Sequence, residues 1–310
     1  MAKDLPSFIA QEGAKREGSV IREKNFIDAN SYETVAYLKH LDIRNEPKMV
    51  LFENVPALNG KKSEFSLFYN PWVTRQYVAD SLDMGDIKSG MEVSLEVARR
   101  ELLSGSVEVV SPDKAPVKQV VLTGDKADLR TLPIPMHQKD DAGAYLTMAC
   151  AMKGLKSDFY DITFTKNKFY EPRRMSFSAH KHHHLEAMTC EYEAENKRAP
   201  VIVILGHHPA FYLSTCCMTP MGNNDYLTAS AFLNEPLRLT PSTTWGDKFL
   251  VPADAEVIIE GEIPPGVRDK QNPFGEILGY YQVEMEVPVI EVTAITYRRN
   301  GIVEDFWPGH

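Results

Sequence analysis

Apolar and polar positions follow two different periods in the first third of the chain. Apolar residues at every third or fourth position predict amphipathic helices, and short apolar or alternating runs predict strands. The predicted helices begin near Tyr32 and cover 75–82 and 93–103, and the predicted strands cover 49–53 and 65–69. Because helices and strands alternate, we expect an N-terminal α/β domain, which we place at residues 1–117.

The remainder of the chain is patterned mostly for strands. Strand-like runs occur at 119–122, 144–151, 160–165, 201–205, 255–260 and 287–297, and one helix is predicted at 225–233. Pro, Asp and Lys concentrate at 111–116, which suits a boundary between domains. Many short strands broken by Gly and Pro turns favour a closed or split β-barrel over a doubly wound sheet. The predicted fold class is therefore α+β, with the barrel at residues 118–310.

The composition excludes several classes of protein. Of 310 residues, 43% are hydrophobic and 25% are charged, which is ordinary for a globular chain. The net charge of −9 argues against nucleic acid or an anionic membrane as a partner, because both need a basic surface. No apolar run reaches the roughly 18 residues of a membrane span, and the polar start of the chain is unlike a secretory signal. With four irregularly spaced cysteines, we expect a cytoplasmic protein without a disulfide framework.

A cluster of histidines is the first candidate for chemistry. His180, His182, His183 and His184 lie within five residues. If the cluster is a strand, His182 and His184 share one face. Neutral imidazoles together with carboxylates are usual ligands of Mn²⁺, Fe²⁺ or Zn²⁺. A solvated polar loop explains the same spacing equally well.

Three further motifs carry weaker signals. Gly206–Ala210, Gly-His-His-Pro-Ala, follows an apolar strand and is either a ligand-docking edge or a tight turn. Asn272–Glu276, Asn-Pro-Phe-Gly-Glu, places a candidate buried acid in an apolar stretch, although a carboxylate that caps a turn is more common. The stretch 252–262 resembles an alternating strand with acids on one face, and for Glu262 a solvated face is the preferred interpretation. Common nucleotide-binding and serine hydrolase motifs are absent from the sequence.

Taken together and in order, segments over nearly the whole chain resemble the UbiD family of decarboxylases, which use prenylated FMN. The matching segments are 49–55, 128–135, 141–147, 206–210, 251–256, 259–262, 273–276 and 294–298. The resemblance implies an N-terminal α/β domain and a split β-barrel that binds the cofactor. Family members usually continue into a C-terminal domain involved in oligomerisation. Since this sequence stops at His310, we expect a truncated chain or a partner polypeptide that supplies that domain.

The resemblance also implies a metal site and a flavin site. Asp161, His184 and Asp225 fall on the family's Asn, His and Glu ligands of Mn²⁺, with Mg²⁺ as an alternative and K⁺ left open. Asp161 and Asp225 thus differ from the family's residues, yet both are competent ligands. The residues that fall near the flavin or its substrate face are Thr163, Phe164, His183, Thr215, Cys216, Cys217 and Met218.

The family's catalytic Glu, Arg and Glu fall on Gln271, Lys166 and Glu276, so that the final acid alone is unchanged. Lys166 keeps the positive charge but loses the two-pronged guanidinium that can clamp a carboxylate. The resemblance implies a decarboxylase, or reversible carboxylase, of an aromatic or α,β-unsaturated carboxylic acid. The alternative is a cofactor-binding subunit of a larger carboxylase that does not itself decarboxylate. The expected partners are the small acid substrate and either further copies of the chain or a partner subunit.

Overall fold

The structure is a computed structural model that describes residues 2–179 and 181–308, so His180 and His310 lie outside the described residues. It has the predicted α+β fold. The α-helices of the described residues are α1 Leu5–Lys15, α2 Glu33–Ile43, α3 Arg75–Ser81, α4 Gly90–Glu101, α5 His184–Ala194, α6 Pro209–Ser214 and α7 Asp225–Leu233.

The strands are numbered in chain order. They are β1 Val20–Glu23, β2 Met49–Phe52, β3 Ser66–Tyr69, β4 Val107–Val109, β5 Val120–Thr123, β6 Tyr145–Leu146, β7 Ala149–Lys153, β8 Tyr160–Phe164, β9 Asn167–Glu171, β10 Arg174–Ser176, β11 Ala199–Leu205, β12 Leu237–Ser242, β13 Gly246–Pro252, β14 Val257–Ile263, β15 Arg268–Gln271, β16 Phe274–Gly275, β17 Tyr281–Gln282, β18 Met285–Tyr297 and β19 Ile302–Glu304.

The N-terminal sheet is buried on both faces, with the strand order β1-β2-β3-β19. Alternate residues of β2 enter different cores: Met49 and Leu51 pack with α1, whereas Val50 and Phe52 pack with α2. Burial on both faces explains why β2 reads as a continuous apolar run. Helix α1, which the sequence pattern did not predict, begins at a capping box between Asp4 and Ser7.

The second sheet curls into a half-barrel with the order β6-β9-β10-β18-β14-β11-β7-β8. Its long strand β18 also pairs with β5 and β15. The register shifts beside Gly261, where an added Cβ would lie 2.4 Å from Ile290 Cγ2. This glycine lets β14 and β18 approach closely at the bulge. The sheet carries candidate site residues on β8, between β8 and β9, and on the segments that follow β10 and β11 along the chain.

Strands cross the predicted boundary at residue 117 in both directions. β4 pairs with β12 in a separate sheet, of order β13-β12-β4, and β19 returns to pair in parallel with β3. The predicted division of the chain at residue 117 stays a prediction.

Two helices of the second half, α5 and α6, were not predicted. His184 is the first residue of α5 and His183 precedes it as the N-cap, so these histidines do not form a strand. The helix forms because Leu185, Met188 and Tyr192 recur at helical spacing and are buried. The strand interpretation of the cluster, under which His182 and His184 would share one face, therefore does not apply.

Candidate active site

Two adjoining clefts open beside β8, and all of the sequence-predicted site residues except Gln271 line one or both of them. The polar cleft has a volume of about 560 Å³, and the aromatic cleft has a volume of about 300 Å³. Phe164 and Cys216 line both clefts, so the two spaces meet at these side chains.

Three different elements bring the predicted metal ligands to the polar cleft. Asp161 lies on β8, while His184 and Asp225 are the first residues of α5 and α7. His184 Nδ1 lies 2.6 Å from Asp161 Oδ2. The Asp225 carboxylate accepts hydrogen bonds of 2.9 Å from the Ile162 N–H and from the Thr219 hydroxyl, which ties α7 to β8.

The electrostatics of the polar cleft favour a cation. Burial, with repulsion from Asp161, raises the pKa of Asp225 to about 6. Burial also raises the pKa of Asp161, although His184 opposes this. Two carboxylates that repel each other gain most from a shared positive charge. However, within residues 2–179 and 181–308, no three His, Cys, Asp or Glu side chains are arranged so that they could already hold a metal ion.

All of the predicted flavin-binding residues line the polar cleft. Thr163 and Phe164 end β8, His183 is the N-cap of α5, and 215–218 follow α6. Burial raises the pKa of the Cys216 thiol and raises that of Cys217 to about 12. These thiols are therefore neutral, and they line this side of the cleft with small, uncharged side chains.

Aromatic rings form the walls of the second cleft. The ring of Trp72 meets those of Phe164 and Tyr212 edge to face, with centroids 6.3 and 6.2 Å apart. Phe306 lies 6.3 Å from Phe164 and lines the same space. Such walls suit a flat apolar ligand and exclude water from it.

A lysine and a glutamate face each other in the aromatic cleft. The Lys166 ammonium forms an ion pair with Glu276, and it lies 5.1 Å from the ring centroid of Phe274. Both side chains are mostly buried and line the cleft. The pair places a positive charge and a carboxylate beside any ligand held between the aromatic rings.

Gln271, the third predicted catalytic residue, is not part of this contact. It is fully buried on β15, where its carbonyl oxygen accepts a hydrogen bond from the Ser176 hydroxyl. Ser176 Oγ also lies 3.4 Å from the backbone oxygen of Lys166. Gln271 is therefore connected to the Lys166 backbone through Ser176. Among the described residues, its side chain does not line either cleft.

The sequence patterns did not predict several wall residues, and one weak motif lies outside the clefts. Trp72 follows β3 after an Asn-Pro turn, and Tyr212 lies on the unpredicted helix α6. The histidines of the Gly-His-His-Pro motif are fully buried, and burial lowers the pKa of both His207 and His208 to about 3. Neither lines the clefts found in the described residues. In the structure the motif forms the start of α6, with His208 as the N-cap and Pro209 as the first helical residue.

Comparison with protein families assigns about two thirds of the chain to a known family. Residues 108–310 match the family described as "UbiD: 3-octaprenyl-4-hydroxybenzoate carboxy-lyase Rift-related domain". The chain belongs to the UbiD family. This confirms the resemblance drawn from the ordered motifs.

Individual UbiD relatives extend the match to the N-terminal sheet. A phenolic acid decarboxylase of Sedimentibacter hydroxybenzoicus is 26% identical over 99% of this chain and 64% of its own length. The UbiD-class enzyme HmfF from Pelotomaculum thermopropionicum, in an evolved dimeric form with prFMN, is 28% identical. That match has a TM-score of 0.90 and covers 99% of this chain and 68% of HmfF.

A third relative is the vanillic acid decarboxylase ShVdcCD of Sedimentibacter hydroxybenzoicus in its open form. It is 25% identical, with a TM-score of 0.86 over 99% of this chain and 64% of that chain. The UbiD chain described here thus spans less than two thirds of the length of the curated relative that it matches. Among the described residues, no helix has the length and apolar content to cross a membrane.

Proposed function

We propose that this UbiD domain decarboxylates, or reversibly carboxylates, an aromatic or α,β-unsaturated carboxylic acid with prenylated FMN. The observation that carries the proposal is the junction of the two clefts. There a polar space meets an aromatic space at Phe164 and Cys216, and the Lys166–Glu276 pair lies in the aromatic part. The solved HmfF relative, in complex with prFMN, supports a flavin in this family.

The residues of the polar cleft fit a flavin. Its volume of about 560 Å³ is within the usual range of roughly 300–1,000 Å³ for small-molecule sites. Neutral thiols and a threonine at 215–217 give a wall that a planar ring can contact without placing a charge against it. Prenylated FMN, when bound, supplies an electron-accepting centre for the bond that breaks as CO₂ leaves.

The chain's own residues then have separate tasks. The aromatic walls bind the substrate ring and exclude water. The Lys166 ammonium attracts the substrate carboxylate and orients it. Once the substrate carboxylate replaces Glu276 beside Lys166, Glu276 takes up a proton from solvent and delivers it to the carbon atom that loses CO₂; in the carboxylating direction Glu276 removes that proton.

We also propose that Asp161, His184 and Asp225 hold a Mn²⁺ or Mg²⁺ ion. The donor set of two carboxylates and one imidazole suits these ions, and the two buried carboxylates repel each other without a cation. The ion would attract the cofactor phosphate to the polar cleft, which is otherwise acidic there. Asp161 and His184 are already in contact, and each Asp225 oxygen accepts one hydrogen bond and keeps a second lone pair that a metal could use.

A second candidate is a cofactor-binding subunit that does not itself decarboxylate. The observation that favours it is the position of Gln271, a neutral residue buried away from the cleft where the family has an acid. The chain's coverage of 64% of its curated relative is compatible with either function. A homo-oligomer or a partner subunit, and a cytoplasmic location, belong to both proposals.

Co-expression with a flavin prenyltransferase tests the proposals together. We expect a yellow protein, prenylated FMN by mass spectrometry of the bound cofactor, and CO₂ release from a panel of aromatic and α,β-unsaturated acids. Glu276→Gln should keep the flavin and lose CO₂ release by about 100-fold or more. The matched control is Glu284→Gln, because Glu284 is an exposed glutamate in the short connection between β17 and β18. Flavin binding without CO₂ release from any acid would favour the second candidate, and a colourless protein would contradict both.

A further inference from the structure

One motif of the sequence analysis has no task in the proposed function: the segment 141–147, Asp-Ala-Gly-Ala-Tyr-Leu-Thr. In the structure this segment contacts the residues that lead to Glu276. That leading segment, which we call the Glu276 stem, comprises residues 272–275. The contacts involve both the backbone and the side chains of the stem.

The Asp141 carboxylate holds the end of the stem. Its Oδ1 accepts a hydrogen bond of 2.8 Å from the N–H of Gly275, the residue directly before Glu276. Its Oδ2 accepts another of 2.8 Å from the N–H of Gln138, which fixes the carboxylate itself. A Cβ at Gly275 would lie 2.8 Å from Gln138 Cγ, so the stem and the 138–141 turn are in close contact. Hydrogen bonds from N–H groups to a charged carboxylate are stronger than neutral ones.

Tyr145 holds the beginning of the stem. Its hydroxyl accepts a hydrogen bond from the Asn272 N–H at 3.2 Å and donates one to the Pro273 carbonyl at 3.3 Å. Its ring packs on Phe274, with centroids 4.5 Å apart, and both rings are fully buried. The Ala142 N–H donates a further hydrogen bond of 2.8 Å to the Pro273 carbonyl.

The same strand also fixes the position of Lys166. Tyr145 and Leu146 form β6, and Leu146 pairs with Asn167, the residue that follows Lys166. The backbone that carries the lysine and the backbone that carries the glutamate are thus both attached to β6. One short strand thereby links the two backbone segments that carry the members of the ion pair.

We propose that Asp141 and Tyr145 are positioning residues that hold the Glu276 stem and thereby place the Glu276 carboxylate against Lys166. Neither residue needs to touch the substrate. The inference rests on the proposed function for its effect on turnover, but its structural part does not. A displacement of about 1 Å at a reacting group can lower the rate by about 100-fold.

Three variants separate the contacts from the packing. Tyr145→Phe removes both hydroxyl hydrogen bonds and keeps the ring on Phe274. Asp141→Ala removes both carboxylate contacts, and Asp141→Asn keeps one amide oxygen as an acceptor. Tyr192→Phe is the matched control, because its hydroxyl donates to the Lys153 carbonyl at 3.0 Å, between α5 and β7 and away from the stem.

The first measurement is hydrogen exchange by mass spectrometry of a peptide that covers the stem, in the full chain without added cofactor. We expect about tenfold faster exchange in Tyr145→Phe and Asp141→Ala, an intermediate rate in Asp141→Asn, and no change in Tyr192→Phe. Unchanged exchange in the first two variants would overturn the inference, whether or not the protein decarboxylates.

The second measurement is turnover of the flavin-loaded protein. We expect kcat to fall by about 10- to 100-fold in Tyr145→Phe and Asp141→Ala, with flavin content unchanged and KM within about threefold of the parent value. If the parent is active and these variants keep kcat within twofold, Asp141 and Tyr145 do not position Glu276 for catalysis. If the parent and Tyr192→Phe bind flavin but release no CO₂, the proposed function fails, and the exchange result alone decides the inference.

Discussion

Glu256 is a buried carboxyl group whose removal should change the pH dependence of stability. It lies immediately before β14, with a side chain that is fully buried. One carboxylate oxygen accepts a hydrogen bond from the Ile302 N–H at 3.0 Å, and the other lies 3.3 Å from Arg298 Nη1 without forming a hydrogen bond. A Cβ at Gly206 would lie 2.8 Å from the Glu256 side chain, so little space remains for water. Burial therefore outweighs the attraction of Arg298 and raises the pKa of Glu256 from 4.5 to about 7.

The sign of the effect follows from this raised pKa. Glu256 contributes its full stability below pH 4.5, where it is protonated in the folded and the unfolded protein. The contribution is lost as the pH rises through 7, because the unfolded chain ionises first. The total loss is about 3 kcal/mol, and most of it falls between pH 5 and pH 8. Glu256→Gln cannot ionise, so relative to the parent it should gain about 2 to 3 kcal/mol over that interval.

Urea unfolding at pH 5, 6, 7 and 8, followed by tryptophan fluorescence and circular dichroism, measures the free energy of unfolding. The quantity of interest is the difference between Glu256→Gln and the parent at each pH, since any constant cost of the amide cancels from its pH dependence. Glu17→Gln is the control, because Glu17 is exposed. If the curves for Glu256→Gln and the parent stay parallel from pH 5 to pH 8, burial does not govern this carboxyl group and the reasoning is wrong.

Three further changes test the proposed site. His184→Ala or Asp225→Ala should lower both bound Mn²⁺ and retained flavin by at least about tenfold, measured by metal analysis and absorbance, and full retention of both would contradict the metal assignment. Lys166→Met should lower kcat/KM by about 100-fold in a CO₂-release assay, whereas Lys166→Arg should keep most of the activity. Equal rates for the two variants would show that the positive charge is not needed. Trp72→Ala should raise KM by about tenfold through lost ring contact, with little change for the smallest acids tested, and an unchanged KM for every acid would exclude Trp72 from the binding site.

Local patterns predicted much of the half-barrel. Strand β11 is a continuous apolar run because both of its faces are buried, and helix α7 begins at Asp225 and ends at Leu233 as its pattern indicates. Helix α5 was not predicted, because it begins within the histidine cluster and the polar residues there hide the start of its apolar period. Glu256 belongs to a stretch whose alternation resembles an acid-bearing strand face, yet this acid is fully buried. Alternation gives the face on which a residue lies but does not tell whether another layer covers that face.

Local sequence patterns predicted less of the candidate site than of the fold. Apart from the histidine cluster, which its spacing indicated, the polar-cleft residues were found through the family resemblance. The aromatic cleft combines Trp72, Tyr212 and Phe306, which lie far apart in the sequence and converge only through the sheets. Gln271 shows the converse limit: an alignment position placed it in the catalytic trio, whereas its side chain points to Ser176. Side-chain direction at a bend of the chain depends on tertiary contacts that a linear pattern does not contain.

The pairing of β19 with β3 has a consequence for synthesis on the ribosome. Roughly 230 residues separate Tyr69 from Ile302 along the chain, yet these two strands are neighbours in one sheet. At about 5–20 residues per second, β3 emerges about 10 to 50 s before its partner exists. During that interval the nascent chain presents a strand edge with apolar residues on both faces, which is a template for aggregation. The N-terminal sheet is therefore first to be made and among the last to be completed, so we expect nascent chains arrested before residue 302 to need chaperone protection.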